Sequence, residues 1–247
     1  MKKIAFISIG IVTILVPAYL WYAHAAIYWK LGDVPIFAPK DYTSYVIGEH
    51  TENPLVYVAI GDSLTAGVGV DSYTQSYPYQ IATAIGQAQK KEVSLVPFAI
   101  PGIRSEYVVG YFLDSVIAQE PDIITILIGT NDIHGNVSAE KFKEHYEIIL
   151  STLSEKTNAA IYAVNIPYIG TSDLIRQPYR YYFSLKAREY NTIIKKLAEQ
   201  YDVTYIDLYS ANAPHSLDSA YYARDFFHPN ALGYTLWAQT IYANFHR

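Results

Sequence analysis

The chain has 247 residues, 51% of them hydrophobic and 17% charged, with a formal net charge of -5. That is room for one α/β domain with a buried core and a short extra segment, and it excludes a disordered polymer. Cysteine is absent, which excludes a disulfide framework, a thiolate nucleophile and a cysteine-based zinc site, while the acidic balance and the lack of a basic stripe argue against a nucleic-acid partner.

In chain order, Lys2 and Lys3 precede a run from Ile4 to Trp29 that lacks Asp, Glu, Lys and Arg, and Ile4–Ala23 has only Ser8 and Thr13 as clearly polar side chains. As a helix, such a stretch spans roughly 30 Å, the thickness of a bilayer core. Trp21, Tyr22, Tyr28 and Trp29 sit where an interfacial aromatic belt belongs, and Pro17 predicts a kink. One reading is an uncleaved signal anchor; the other is a signal peptide cut after Ala23-His24-Ala25, which would leave the protein secreted. The apolar run exceeds the roughly 7–15 residues of an ordinary signal core and favours the anchor. Both readings put the remaining chain outside the cytoplasm. Residues 30–53 read as a linker or surface-hugging segment, broken by Pro35, Pro39, Asp41, Gly48 and Asn53, and residues 54–247 as the domain.

Within that domain, Leu55–Ile60 is a short apolar, β-branched run that stops at Gly61 and predicts a buried strand. Tyr77–Ala88 has helical spacing, Val93–Ala99 predicts a second strand, and Glu106–Ala118 a helix ended by Pro121. Ile123–Ile128 is the clearest buried strand. Ser138 is a predicted N-cap for an amphipathic helix to Glu155. Ala160–Asn165 predicts a fourth strand, Ser184–Gln200 a helix with Leu185, Tyr190, Ile193, Ile194 and Leu197 on one side, Val203–Asp207 a fifth strand, and Ala231–Phe245 the last helix. Apolar strands between helical crossovers predict a mainly parallel, five-stranded sheet covered on both faces, an α/β/α three-layer sandwich. Ligands bind at the carboxyl ends of such strands.

Four segments with chemistry fall at those ends. Gly61-Asp62-Ser63-Leu64-Thr65-Ala66-Gly67 follows the first strand, and Ser63 there points out of the sheet edge; alone, such a serine reads equally as a helix cap. Asp225-Phe226-Phe227-His228-Pro229-Asn230 precedes the last helix. A serine hydroxyl needs a base to become a nucleophile, histidine titrates near neutral pH, and a carboxylate fixes its tautomer. Of the seven histidines, His228 has this local partner. Gly129-Thr130-Asn131-Asp132 follows the clearest strand, so Asn131 can offer a side-chain N–H to an oxyanion. Pro101-Gly102 follows another, and a glycine N–H can approach a ligand closely. Asp132 and His134, two donors without a third, read as polar loop groups and not as a metal site, so neither metal nor cofactor is expected.

These four segments, in this order from residue 61 to 233, resemble the four blocks of the SGNH (GDSL) hydrolases. The resemblance implies Ser63 as nucleophile, His228 as base, Asp225 as the acid that orients it, and an oxyanion hole of Ser63, Gly102 and Asn131. Gly233 matches a glycine that commonly follows the histidine block. The implied fold is flavodoxin-like. One departure is that the family's glycine block usually has an asparagine a few residues earlier, and Pro97–Gly102 has none; Arg104 and Ser105, just after it, are further candidates to line the site. The serine sits in G-D-S-L-T and not in G-x-S-x-G, which argues against an α/β-hydrolase elbow.

The implied reaction is hydrolysis of a carboxylic ester through an acyl-enzyme. The expected substrate is a small acyl ester, an O-acylated glycan or a lysophospholipid. Two other readings are an acyltransferase with the same triad and a non-catalytic binding module. The segment Tyr168–Phe183, with Arg176, Arg180 and four tyrosines, reads either as a lid or substrate wall or as a solvated loop.

Overall fold

A computed structural model describes residues 2–32, 44–168, 171 and 173–245; of residues 2–12, 28 and 30–32 it describes the backbone. The elements run α1 (Lys2–Gly32), β1 (Tyr45–Ile47), β2 (Leu55–Gly61), α2 (Tyr77–Gln89), β3 (Val93–Ala99), α3 (Ser105–Tyr107), α4 (Leu113–Ile117), β4 (Ile123–Leu127), α5 (Thr130–His134), α6 (Ala139–Lys156), β5 (Ala160–Val164), α7 (Tyr179–Gln200), β6 (Thr204–Ile206), α8 (Leu208–Asn212) and α9 (Ala231–Tyr242). A π-helical turn, Val108–Phe112, joins α3 to α4. The expected cap holds: the Ser138 hydroxyl accepts from the Lys141 N–H at 3.2 Å and starts α6.

The sheet has the order β1-β3-β2-β4-β5-β6, with β1 antiparallel and every other pair parallel. The five expected strands are all present, and the sheet gains a sixth at its edge. Strand β1 comes from the segment read as a linker, where Tyr45 and Ile47 pair with Leu95 and Val93. Three residues ahead of a glycine at φ +96° carry no period of their own. Their strand state comes from the free edge of β3 and from the Tyr45 ring stacked on Tyr73, centroids 4.9 Å apart.

Alternation along the strands sends side chains to two cores. Val58, Ile60, Ile124 and Ile126 pack with Phe142, Tyr146, Tyr190 and Ile194 of α6 and α7. Tyr57, Ala59, Val93 and Leu95 pack with Ile81 and Ile85 of α2 and Tyr234, Trp237 and Ile241 of α9. Helices thus cover both faces, as the unbroken apolar strands predicted. In α7, Ala187, Tyr190, Asn191 and Ile194 are buried, whereas Leu185, on the apolar side of the helix, is exposed. The helix also begins at Tyr179, five residues early, so the end of the segment read as a lid or loop is its first turns.

Chain reversal happens at β2. From it the chain first adds β3 on one side, then β4, β5 and β6 on the other. A doubly wound sheet opens a crevice at the carboxyl end of such a switch strand. The segments after β2, β3 and β4 therefore meet there, and they carry Ser63, Gly102 and Asn131.

The N-terminal run is helical, with Pro17 inside it. Ala23 and Ala26 are buried, Ile27 packs against the α6/α7 core, and Ile14, Leu15, Val16, Trp21 and Trp29 are exposed. Among the described residues no helix is long and apolar enough to cross a membrane, so the expected membrane anchor finds no support in the structure.

Glycine is required where β4 turns into α5. Gly129 has φ +127°, and a Cβ there would lie 2.7 Å from Ile166 Cδ1 and 3.0 Å from Phe142 Cε2. Gly129→Ala should destabilise the domain by about 1–3 kcal/mol through backbone strain and overpacking. Urea unfolding checks this; an unchanged midpoint would contradict it.

Candidate active site

The candidate site is built from four chain segments. After β2, Gly61 has no room for a side chain, because a Cβ would fall 2.0 Å from Thr65 Oγ1 and 2.5 Å from the Leu127 carbonyl. The chain folds back at once: the Asp62 carbonyl accepts from the N–H groups of Thr65 and Ala66. This tight turn holds Ser63 at the crevice.

The loop before α9 brings His228 to it. Asp225 Oδ1 accepts from the N–H groups of Phe227, at 2.9 Å, and His228, at 3.0 Å. Phe226 takes φ +57°, a cost that these side-chain-to-backbone bonds offset. The other oxygen, Oδ2, lies 2.5 Å from His228 Nδ1, and His228 Nε2 lies 3.0 Å from Ser63 Oγ. A carboxylate only accepts, so Nδ1 carries the hydrogen and the neutral ring turns the lone pair of Nε2 toward Ser63. All three side chains are buried. Burial acts to raise the Asp225 pKa, but the hydrogen bond from His228 and the two backbone N–H groups outweigh it and hold Asp225 below the usual carboxylate range.

Two glycines let the loops close on each other. A Cβ on Gly69 would meet the Pro229 carbonyl at 2.4 Å and His228 Cβ at 3.0 Å, and one on Gly233 would meet the Tyr221 carbonyl at 2.3 Å. The Tyr234 hydroxyl of α9 then donates to the Val68 carbonyl at 2.8 Å and ties the two segments.

Pro101 and Gly102 are the middle of a turn closed by the Ile103 N–H on the Ile100 carbonyl, at 3.3 Å. Gly102 has φ +86°, and a Cβ there would touch nothing within 4 Å. With proline before it this is a type II turn, so backbone conformation and not crowding requires the glycine. Among the described residues no backbone carbonyl accepts from the N–H of Ser63 or of Gly102. Asn131 Nδ2 donates to Asp62 Oδ2 at 3.0 Å.

That last bond identifies a residue the sequence reading passed over. Asp62 is fully buried beside Ser63, and its other oxygen accepts from the Leu64 N–H at 3.0 Å. Burial, with a further push from Asp132, raises its pKa from 3.8 to about 7 against those two hydrogen bonds. No local pattern marks Asp62, because its partner lies 69 residues away. Arg104 and Ser105, either of which was a candidate to line the site, have separate surroundings. Arg104 is exposed, 3.8 Å from Glu106, whereas Ser105 is buried and bonded to Asp132. His134 lies between the rings of Phe183 and Phe227, so Asp132 and His134 serve different partners. Among the described residues no group of three or more His, Cys, Asp or Glu could hold a metal ion.

Residues 59–236 match the profile of the GDSL-like Lipase/Acylhydrolase family. A spore germination lipase, LipC, of Bacillus licheniformis is 25% identical over 204 residues, covering 76% of this chain and 95% of that protein. The uncharacterized protein YpmR of Bacillus subtilis is 25% identical over 218 residues, covering 78% and 82%. Among solved structures, a lipase/acylhydrolase from Enterococcus faecalis superposes with a TM-score of 0.61 at 23% identity, covering 76% of this chain and 94% of that one. The acetylxylan esterase Axe2 of Geobacillus stearothermophilus gives 0.61 at 20% identity, covering 77% and 93%. These structural likenesses carry the fold.

The raised Asp62 pKa has a consequence for stability. Between about pH 4 and 7 the unfolded carboxyl has lost its proton while the folded one keeps it. Its contribution to stability therefore falls as pH rises through that window. Asp62→Asn removes this dependence, so its melting temperature relative to the wild type should be higher at pH 8 than at pH 5. Thermal melts at the two pH values check this, and a flat or reversed difference would contradict the assignment.

Proposed function

The chain belongs to the GDSL-like lipase/acylhydrolase family, which acts on ester bonds, and from that premise we propose that it is a serine ester hydrolase working through Ser63, His228 and Asp225. The observation that carries the reading is the continuous hydrogen-bonded line from Ser63 Oγ through His228 to Asp225.

In this mechanism His228 Nε2 takes the Ser63 proton as Oγ attacks the ester carbonyl. The imidazolium that forms is held by the ionised Asp225. The tetrahedral oxyanion is met by the backbone N–H groups of Ser63 and Gly102 and by Asn131 Nδ2. His228 then returns the proton to the leaving alcohol, and the acyl-enzyme remains on Ser63. Water, deprotonated by His228, attacks that ester; collapse releases the acid and restores the serine.

A small crevice bears on the substrate. About 10 Å³ of free space lies among Leu64, Thr130, Tyr168, Tyr222, Phe227 and Trp237. Leu64, Thr130 and Phe227 are the chain neighbours of Ser63, Asn131 and His228. A narrow crevice at this place supports a short acyl chain such as acetyl. Lys2 and Lys3 ahead of the apolar run support action outside the cytoplasm; cell fractionation should then find the domain outside the cytoplasmic fraction.

On p-nitrophenyl esters, the acetate should be turned over with a higher kcat/KM than the octanoate. Ser63→Ala should reduce hydrolysis to background while keeping the wild-type far-UV circular dichroism. Asn131→Ala should lower kcat by ~10²–10³-fold. Full activity in Ser63→Ala would remove the mechanism, and a preference for octanoate would remove the short-acyl assignment.

A further inference from the structure

A second serine, aspartate and histidine meet behind the site. Ser105 begins α3, three residues after Gly102. Asp132 follows Asn131 in α5, and His145 lies in α6. The Ser105 N–H donates to Asp132 Oδ2 at 3.0 Å and its hydroxyl to Oδ1 at 2.6 Å, while His145 Nδ1 lies 3.1 Å from Ser105 Oγ. All three residues are buried. They share the composition of a catalytic triad but not its wiring, since the carboxylate holds the serine and not the histidine. The one hydroxyl hydrogen is spent on Asp132, so His145 Nδ1 must be the donor to Ser105 Oγ. The result is a directed chain, His145 N–H to Ser105 O–H to the Asp132 carboxylate.

We propose that Ser105, Asp132 and His145 are positioning residues: a buried clamp that fixes the Gly102 turn against Asn131 and so sets the geometry of the oxyanion hole. The inference rests on the reading of Gly102 and Asn131 as oxyanion donors. Two segments from different strand ends carry those donors, and the Ser105–Asp132 pair is a two-bond link between them. Asn131 is held on its other side by Asp62. His145 anchors the pair to α6, which packs on the sheet through Phe142, Tyr146 and Ile149. Removing the Ser105 hydroxyl leaves the buried carboxylate with one donor and His145 without its acceptor, at a point where a displacement of an ångström is worth up to about 10²-fold in rate. A packing role alone would lower stability and leave the chemical step alone.

The test is steady-state hydrolysis of p-nitrophenyl acetate by the full chain. Ser105→Ala should lower kcat by ~10- to 100-fold with KM within about twofold of wild type. The double variant Ser105→Ala/Asp132→Asn should be no slower than the slower single variant, because both changes open the same clamp. His145→Asn, which keeps an N–H donor where Nδ1 lies, should retain kcat within about threefold, and His145→Ala should not; this pair decides the matter if Ser105→Ala fails to fold. Wild-type kcat in a folded Ser105→Ala, multiplicative losses in the double variant, or equal losses in the two His145 variants would overturn the clamp. Asn131→Ala separates the two levels. If it leaves kcat unchanged, the oxyanion reading itself fails; if it lowers kcat and Ser105→Ala does not, the clamp alone fails.

Discussion

One contact constrains the rest of this molecule: His228 Nε2 at 3.0 Å from Ser63 Oγ, between residues 165 apart in the chain. A bond between side chains on two loops exists as a stable geometry when both loops are held from below. The sheet supplies the first support, because β2 is the strand at which the winding reverses and its carboxyl end opens a crevice. Loop-to-loop packing supplies the second. Gly69 and Gly233 leave space where any side chain would strike backbone, and Tyr234 ties the last helix to the serine segment. Neither support touches the reacting atoms, and without them the side chains named as nucleophile and base would not meet.

The electrostatics of the site are set by surroundings more than by residue type. Asp225 and Asp62 are both buried aspartates of the candidate site, one bonded to His228 and the other next to Ser63 in the chain. Asp225 accepts from two backbone N–H groups and from His228 and is held low; Asp62 has two donors, deeper burial and a second carboxylate nearby, and is pushed up to about 7. In the proposed mechanism the carboxylate supports an imidazolium and has to stay ionised near neutral pH, and the surroundings of Asp225 suit it to that role. Asp62 faces Asn131 instead, where a hydrogen-bond partner is needed and a full charge is not.

Much of this was legible in the sequence, and the exceptions share a cause. Apolar, β-branched runs such as Ile123–Ile128 mark buried strands because each residue must be compatible with a covered face, so all five predicted strands formed. The three-residue spacing of Asp225 and His228 is local, and so was readable. Strand β1 was not, since three residues gain their conformation from the edge of β3. The exposure of Leu185 was not readable either, because helical periodicity gives a stripe but not its centre. Asp62 and His145 escaped notice, and Ser105 was singled out as a site-lining residue without its bond to Asp132, for the same reason as β1: the partners are 69, 27 and 40 residues away, and no spacing rule reaches that far.

Among the described residues Ser63 and Ser105 each contact a histidine and, directly or through it, an aspartate, and the proposed mechanism gives nucleophilic character to Ser63 alone. Labelling the native protein with a fluorophosphonate, followed by peptide mass spectrometry, tests that assignment most directly. The expected result is a single adduct on Ser63, abolished by His228→Ala, with Ser105 unmodified. An adduct on Ser105, or labelling of Ser63 that persists undiminished without His228, would contradict it.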